Sequence, residues 1–181
     1  MKTPWHIQQN FFSKKEIKEI NKIVNNKSDD SLGDHPADTV KTCDVKILHA
    51  KYLKPFINKI DDRVNEINTF NFGFILHPSV DRDWIYHNTY KAENSGEYNW
   101  HVDLQPLDSY DLKFTALVNV SEKEYSGGNF YLHLHQILKF DGFNQPGSLI
   151  VFPSFILHKV DPIIKGERKT LVHWRKGPTW Q

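Results

Sequence analysis

Ser148-Leu-Ile-Val-Phe-Pro-Ser-Phe-Ile-Leu-His-Lys-Val-Asp-Pro-Ile-Ile-Lys-Gly-Glu-Arg-Lys-Thr-Leu-Val-His-Trp174 is the stretch that decides the fold. Two apolar runs, Ser148 to Phe152 and Ile156 to Val160, are split by Pro153-Ser154. A third, Arg168 to Trp174, follows a turn at Lys165-Gly166. Short β-branched and aromatic runs bounded by Pro, Gly and Ser read as strands, and none of these is long enough for a buried helix. The same grammar extends towards the N-terminus. Asn129 to Leu134, Lys113 to Ser121, Tyr98 to Asp103 and Trp84 to Tyr90 are further strand candidates, separated by turn clusters at Gln145-Pro146-Gly147, Gly127-Gly128 and Asn94-Ser95-Gly96. Residues 69–76 alternate, with Phe70, Phe72 and Phe74 on one face, and are also expected to be a strand.

Before residue 69 the period is helical. Ser13 and Glu16 form a capping box, with Phe12 and Ile17 as its hydrophobic staple, and Ile17, Ile20, Ile23 and Val24 make one apolar stripe. Residues 25–44 are polar, with Gly33 and Pro36, and read as a loop. A second helix follows, with Leu53, Phe56, Ile57, Ile60, Val64 and Ile67 on one face and Pro55 near its start. Two helices and then about eight short strands predict a mainly β protein with flanking α-helices, an antiparallel barrel or two-sheet jelly roll with the helices packed outside. One domain is expected over 1–181, with helical support over about 1–68 and the β core over about 69–178.

A chain of 181 residues, 39% hydrophobic, suffices for one sizeable core. The net charge is +1, from 23 basic and 22 acidic side chains, so there is no basic field of the kind nucleic-acid binding needs. No run approaches a membrane span, and the segment MKTPWHIQQNFF lacks a secretory signal pattern. With Cys43 as its one cysteine, read as a small half-buried residue, the chain is expected in a reducing, cytoplasmic setting.

The chemistry-bearing residues are histidines with partners. In Trp100-His101-Val102-Asp103, residues two apart on a strand face one way, so an imidazole and a carboxylate project together. His158 sits in the otherwise apolar Ile156 to Val160 run, where an unpaired imidazole is costly to bury. Two histidines and a carboxylate cover one face of an octahedral ion and leave three open positions, as in non-haem Fe(II) oxygenases. Two of those positions suit a chelating keto acid, and the third suits O₂. Arg168 then supplies a planar, bidentate partner for a distal carboxylate.

Tyr98 to Asp103, Tyr125-Ser-Gly-Gly128, Pro146 to His158, Gly166-Glu-Arg168 and Trp174 to Pro178 together resemble the prolyl 4-hydroxylase-type 2-oxoglutarate/Fe(II)-dependent dioxygenases, and especially the small PKHD-type hydroxylases. The resemblance covers roughly residues 84–178. It implies a double-stranded β-helix (jelly roll, cupin-like) core, iron on His101, Asp103 and His158, and the cosubstrate carboxylate on Arg168. It also implies Fe(II) as cofactor, 2-oxoglutarate and O₂ as cosubstrates, and ascorbate as a stimulant. Tyr90 and Asn119 become candidate cosubstrate contacts, with Leu117 on the same strand face as Asn119, and Trp174 matches a tryptophan that closes the pocket. The implied reaction hydroxylates an unactivated C–H bond, foremost of a prolyl residue in a protein or peptide, releasing succinate and CO₂; a small-molecule substrate stays open. Neither a nucleic acid nor a membrane is an expected partner. Substrate selection is assigned to residues 25–44, 77–83 and 104–112.

The competing class is a non-enzymatic cupin-like module that holds a metal or a sugar, which gives no reason for Arg168. A zinc hydrolase would need a general base that no carboxylate here supplies. His133 and His135 read as surface or rim residues, and His49, His77, His87 and His173 as ordinary polar or packed ones. Arg175-Lys176 reads as a solvated end.

Overall fold

The computed structural model describes residues 3–28, 41–103 and 109–180. Two antiparallel sheets carry the molecule. The larger runs β1 (His6–Gln8), β10 (Leu149–Pro153), β6 (Asp111–Asn119), β13 (Glu167–Gly177), β4 (Trp84–Lys91), β3 (Asp44–His49); the smaller runs β2 (Lys41–Thr42), β5 (Glu97–His101), β11 (Leu157–Val160), β8 (Phe130–His133), β9 (Ile137–Lys139). A two-stranded ribbon of β7 (Ser126–Gly127) and β12 (Ile163–Lys165) completes the set. This is the expected double-stranded β-helix.

The central strands β6 and β10 are largely apolar on both faces because both are covered, and β13 beside β6 buries Arg168, His173 and Arg175 along with Leu171 and Val172. Leu117, Ile150, Phe152 and Val172 point between the sheets and meet Phe130, Leu132 and Val160 of the smaller one. The alternate residues Ala116, Val118, Leu149, Val151 and Leu171 face outward, onto helices α1 (Lys14–Lys27) and α2 (Lys54–Asn71). The Ser13 capping box is present, with Ser13 Oγ accepting from Glu16 N and the Glu16 carboxylate accepting from Ser13 N. Phe56, Ile57, Ile60, Val64 and Ile67 form the buried stripe of α2, whose second residue is Pro55.

Three expectations needed correction. Residues 69–76 form no strand: α2 runs on to Asn71 and Phe70 is two-thirds exposed. Gly73, at φ +74°, turns the chain, and the Asn68 side chain both donates to and accepts from the Phe74 backbone at 2.8 Å. Phe72 and Phe74 then pack on Phe114 with ring centroids 5.1 Å away. The alternation at Phe70, Phe72 and Phe74 thus spans a helix end and a turn, not a ladder. The stretch 25–44 begins with the last turn of α1 and ends in β2 and β3; its residues 29–40 lie outside the described residues, as do 104–108. Arg175-Lys176 is no solvated end. Arg175 is 4% exposed, pairs with Asp61 at 3.0 Å and bonds Asn65, while Lys176 pairs with Asp83 at 2.7 Å.

His87 and His173 likewise have partners. His87 Nε2 lies 2.9 Å from Asn21 Oδ1 and ties α1 to β4; His173 Nε2 lies 2.9 Å from Asp61 Oδ1 and ties α2 to β13. His49 stacks on Trp84 at 4.1 Å.

Candidate active site

Register brings the site together. β5 and β11 pair so that His101 lies directly opposite His158, with ring centroids 4.0 Å apart. β5 ends at His101, but pairing continues beyond it: Asp103 N donates to Ser154 O at 3.0 Å, which holds the carboxylate beside both rings. His101 Nε2 stands 3.6 Å from Asp103 Oδ1, and His158 Nε2 3.7 Å from Asp103 Oδ2. One ligand atom from each residue can be chosen so that all lie within 4.8 Å of one another, and no other such His/Cys/Asp/Glu group occurs among the described residues.

The imidazoles could hold a cation. His101 Nδ1 is 2.7 Å from Asn99 O, and His158 Nδ1 is 2.9 Å from Ile156 O. A carbonyl can only accept, so each Nδ1 carries the hydrogen and each Nε2 presents a lone pair inward. Burial, followed by the neighbouring His158, lowers the His101 pKa to about 4 against the pull of Asp103. The ring is therefore neutral at pH 7, as a metal ligand must be. Tyr98 stacks flat on His101, 10° from parallel.

These side chains open on a cavity of about 870 Å³ whose far wall is built by β4 and β13. Arg168 and Tyr90 are register partners there, and both line the cavity. Arg168 is fully buried, its guanidinium carbon 5.6 Å from the Tyr90 ring and 5.3 Å from the Phe143 ring, yet its Nε and Nη2 have no hydrogen-bond partner. Burial raises the Tyr90 pKa well above the ordinary tyrosine range, so the phenol is a neutral donor. Leu117 lines the same wall.

Asn119 does not line this cavity. Its Nδ2 is spent on Tyr125 Oη at 2.9 Å, Asn144 O at 3.0 Å and Phe143 O at 3.1 Å, and its Oδ1 accepts from Ser121 N. The alternation that puts Leu117 on the cavity does reach Asn119, but at the strand end the loop around Phe143 captures its amide. Cys43, partly buried, is a lining residue whose thiol burial pushes up to about 11. His133 and His135 are exposed on the β8–β9 hairpin, His133 against Trp100.

The sequence reading missed Thr115 and Ser154. Thr115 Oγ1 donates to Asp103 Oδ2 at 2.7 Å and lies 3.0 Å from Ser154 Oγ. A lone hydroxyl inside the apolar strand Phe114-Thr-Ala-Leu-Val118 was the available signal. Trp174, expected to close the pocket, lines it and donates from Nε1 to Asp103 Oδ2 at 2.9 Å.

Residues 86–176 match the family model described as the 2OG-Fe(II) oxygenase superfamily. A PKHD-type hydroxylase of Synechococcus sp. (strain CC9605) is 33% identical over 85 residues, 45% of this chain and 37% of that protein. Another, of Hyphomonas neptunium, is 37% identical over 90 residues, covering 44% and 39% respectively. The chain thus spans less than half the length of the curated relatives it matches. Among solved structures, a Pseudomonas putida prolyl-4-hydroxylase superposes with TM-score 0.75 at 19% identity, covering 97% of this chain and 94% of its own. A Trichoplax adhaerens prolyl hydroxylase, in complex with a hypoxia inducible factor oxygen degradation domain peptide fragment, gives 0.71 at 16%, covering 95% and 83%. At that identity the likeness is one of fold.

Proposed function

The chain belongs to the 2OG-Fe(II) oxygenase superfamily, and we propose that it is a 2-oxoglutarate-dependent dioxygenase hydroxylating an unactivated C–H bond. One observation carries this reading: a fully buried guanidinium with two unpartnered nitrogens lines the same cavity as the His101, Asp103 and His158 ligand atoms. An uncompensated buried cation costs several kcal/mol, roughly, and a dicarboxylate supplies the missing acceptor. In this reading His101, Asp103 and His158 hold Fe(II), while Arg168 and Tyr90 hold the far carboxylate of 2-oxoglutarate.

The chemistry supplied by iron and 2-oxoglutarate when bound is oxidative decarboxylation, one atom of O₂ going to succinate and the other to the substrate. The chain's own part is geometry. Asn99 O and Ile156 O fix the tautomers of both histidines, so the site needs no proton rearrangement on loading. The bidentate reach of Arg168 orients the cosubstrate from its far end. Phe130, Leu117, Val160 and Val172 line the walls with apolar surface and limit water around the reacting centre.

For the substrate we propose a prolyl residue in a protein or peptide. The cavity lining includes Trp84, Tyr86 and Tyr110, flat apolar surfaces suited to a pyrrolidine ring, and its Lys176 pairs with Asp83. Relatives named as prolyl hydroxylases, one with a peptide bound, support the same class.

Anaerobic titration of the apoprotein with Fe(II) and then 2-oxoglutarate tests the reading through the visible charge-transfer band of the chelated keto acid. A band in the wild type, weakened in Asp103→Ala and in Arg168→Ala, is expected. No band from folded, metal-loaded protein overturns the oxygenase reading in favour of a binding module.

A further inference from the structure

The Asp103 carboxylate is asymmetric in its surroundings. Oδ2 accepts from Thr115 Oγ1 at 2.7 Å and from Trp174 Nε1 at 2.9 Å. Each oxygen faces a ligand imidazole, Oδ1 at 3.6 Å from His101 Nε2 and Oδ2 at 3.7 Å from His158 Nε2, but among the described residues nothing donates to Oδ1. Two short hydrogen bonds occupy the lone pairs of Oδ2 and leave Oδ1 as the oxygen with electrons to give. Both donors are firmly set. Thr115 is fully buried in β6, with Ser154 Oγ at 3.0 Å fixing its hydroxyl rotor, and Ser154 O also receives the Asp103 N–H. Trp174 packs edge-on to Tyr86 at 4.8 Å, and its strand neighbours His173 and Arg175 are tied to Asp61 on the opposite face of β13.

We propose that Thr115 and Trp174 are positioning residues that hold Asp103 to single-oxygen coordination, Ser154 setting Thr115, and so keep a coordination position open on the ion. The proposal rests on the ligand assignment above. A carboxylate free to rotate can bind an ion through one oxygen or through both. A second oxygen would take one of the three positions that a chelating keto acid and O₂ require. Aligning the carboxylate from behind keeps that position available without adding a ligand.

The test uses Mn(II), an octahedral oxygen- and nitrogen-seeking ion whose bound water is read from water-proton relaxation, on the full chain. Wild type, Thr115→Val, Thr115→Ser and Trp174→Phe are each loaded with Mn(II), then saturated with 2-oxoglutarate, and apoprotein melting confirms folding. Wild type and Thr115→Ser are expected to keep the relaxation enhancement of a coordinated water with 2-oxoglutarate bound. Thr115→Val and Trp174→Phe should lose most of it and bind Mn(II) about tenfold more weakly. A merely structural threonine would give Thr115→Ser and Thr115→Val the same relaxation. Wild-type enhancement in both Thr115→Val and Trp174→Phe overturns the proposal; if Thr115→Val does not fold, Trp174→Phe alone decides. Failure of the wild type to bind Mn(II) overturns instead the ligand assignment on which it rests.

Discussion

Gly128 sits at φ +63°, and a Cβ there would stand 2.9 Å from Arg168 Cδ and 2.4 Å from Ile163 Cδ1. The glycine therefore clears the path along which Arg168 enters the core, which gives the Ser-Gly-Gly run a physical reason. Gly128→Ala is expected to abolish 2-oxoglutarate binding while metal binding survives, as two separate titrations would show. Arg168→Lys keeps the charge but loses the fork, and should weaken the keto acid by about tenfold or more in the charge-transfer titration. His87 acts on stability. Burial first, then Lys169 and Lys46, lower its pKa to about 4 from 6.5. Between those values the unfolded chain takes up a proton that the folded chain refuses. Stability is complete above pH 6.5 and declines as pH falls towards 4, by about 3 kcal/mol on this group. Urea midpoints of the apoprotein at pH 7 and pH 4.5 should show the decline, and His87→Gln should remove the part of it that this imidazole contributes, leaving the part due to His101.

Elements are joined at a few polar points. Asp61 on α2 accepts from His173 and Arg175 of β13, and these contacts hold its carboxyl below the usual range in spite of burial. Asp61→Ala strands two buried groups and is expected to cost about 3 kcal/mol in chemical denaturation. Because the clamp lies behind Trp174, the same variant should also loosen metal binding. At the far end of the helical layer, Ser13→Ala removes one side of a complete capping box and should cost about 1 kcal/mol. The first helix and its cap were legible from Ser13, Glu16 and the isoleucine stripe because every signal is local. The end of α2 was not, because Asn68 folding back on Phe74 is a side-chain event that no period announces.

At the scale of the whole molecule, the helices and the jelly roll share one surface of the larger sheet. Phe114 of β6 touches Phe72 and Phe74 beyond α2, and Phe12, Phe56 and Ile20 pack into the same apolar body as Val118 and Leu149. We propose that residues 1–181 form one cooperative unit. Helical circular dichroism and tryptophan fluorescence should then report coincident denaturation midpoints. Phe114→Ala should shift both by the same about 3–5 kcal/mol. No helix among the described residues is long and apolar enough to cross a membrane.

By itself the sequence determined the class of the fold and the identity of the chemical groups. Strand periodicity, the capping box and the His101-x-Asp103 pair are written in neighbouring residues, where spacing of two or of three to four is enough; His158 and Arg168 stood out by residue type and by the family resemblance. The tertiary structure decided everything that depends on residues far apart in the chain. The β5–β11 register set His101 against His158, and the β4–β13 register set Tyr90 against Arg168. Pairing between β10 and β6 put Pro153 opposite Phe114, next to the Thr115–Ser154 contact, and so brought hydroxyls from β6 and from the turn after β10 behind Asp103. The same packing gave Asn119 to the Phe143 loop and Arg175 to Asp61. A strand's pattern tells which face a side chain takes, but only the partner strand says what stands on that face.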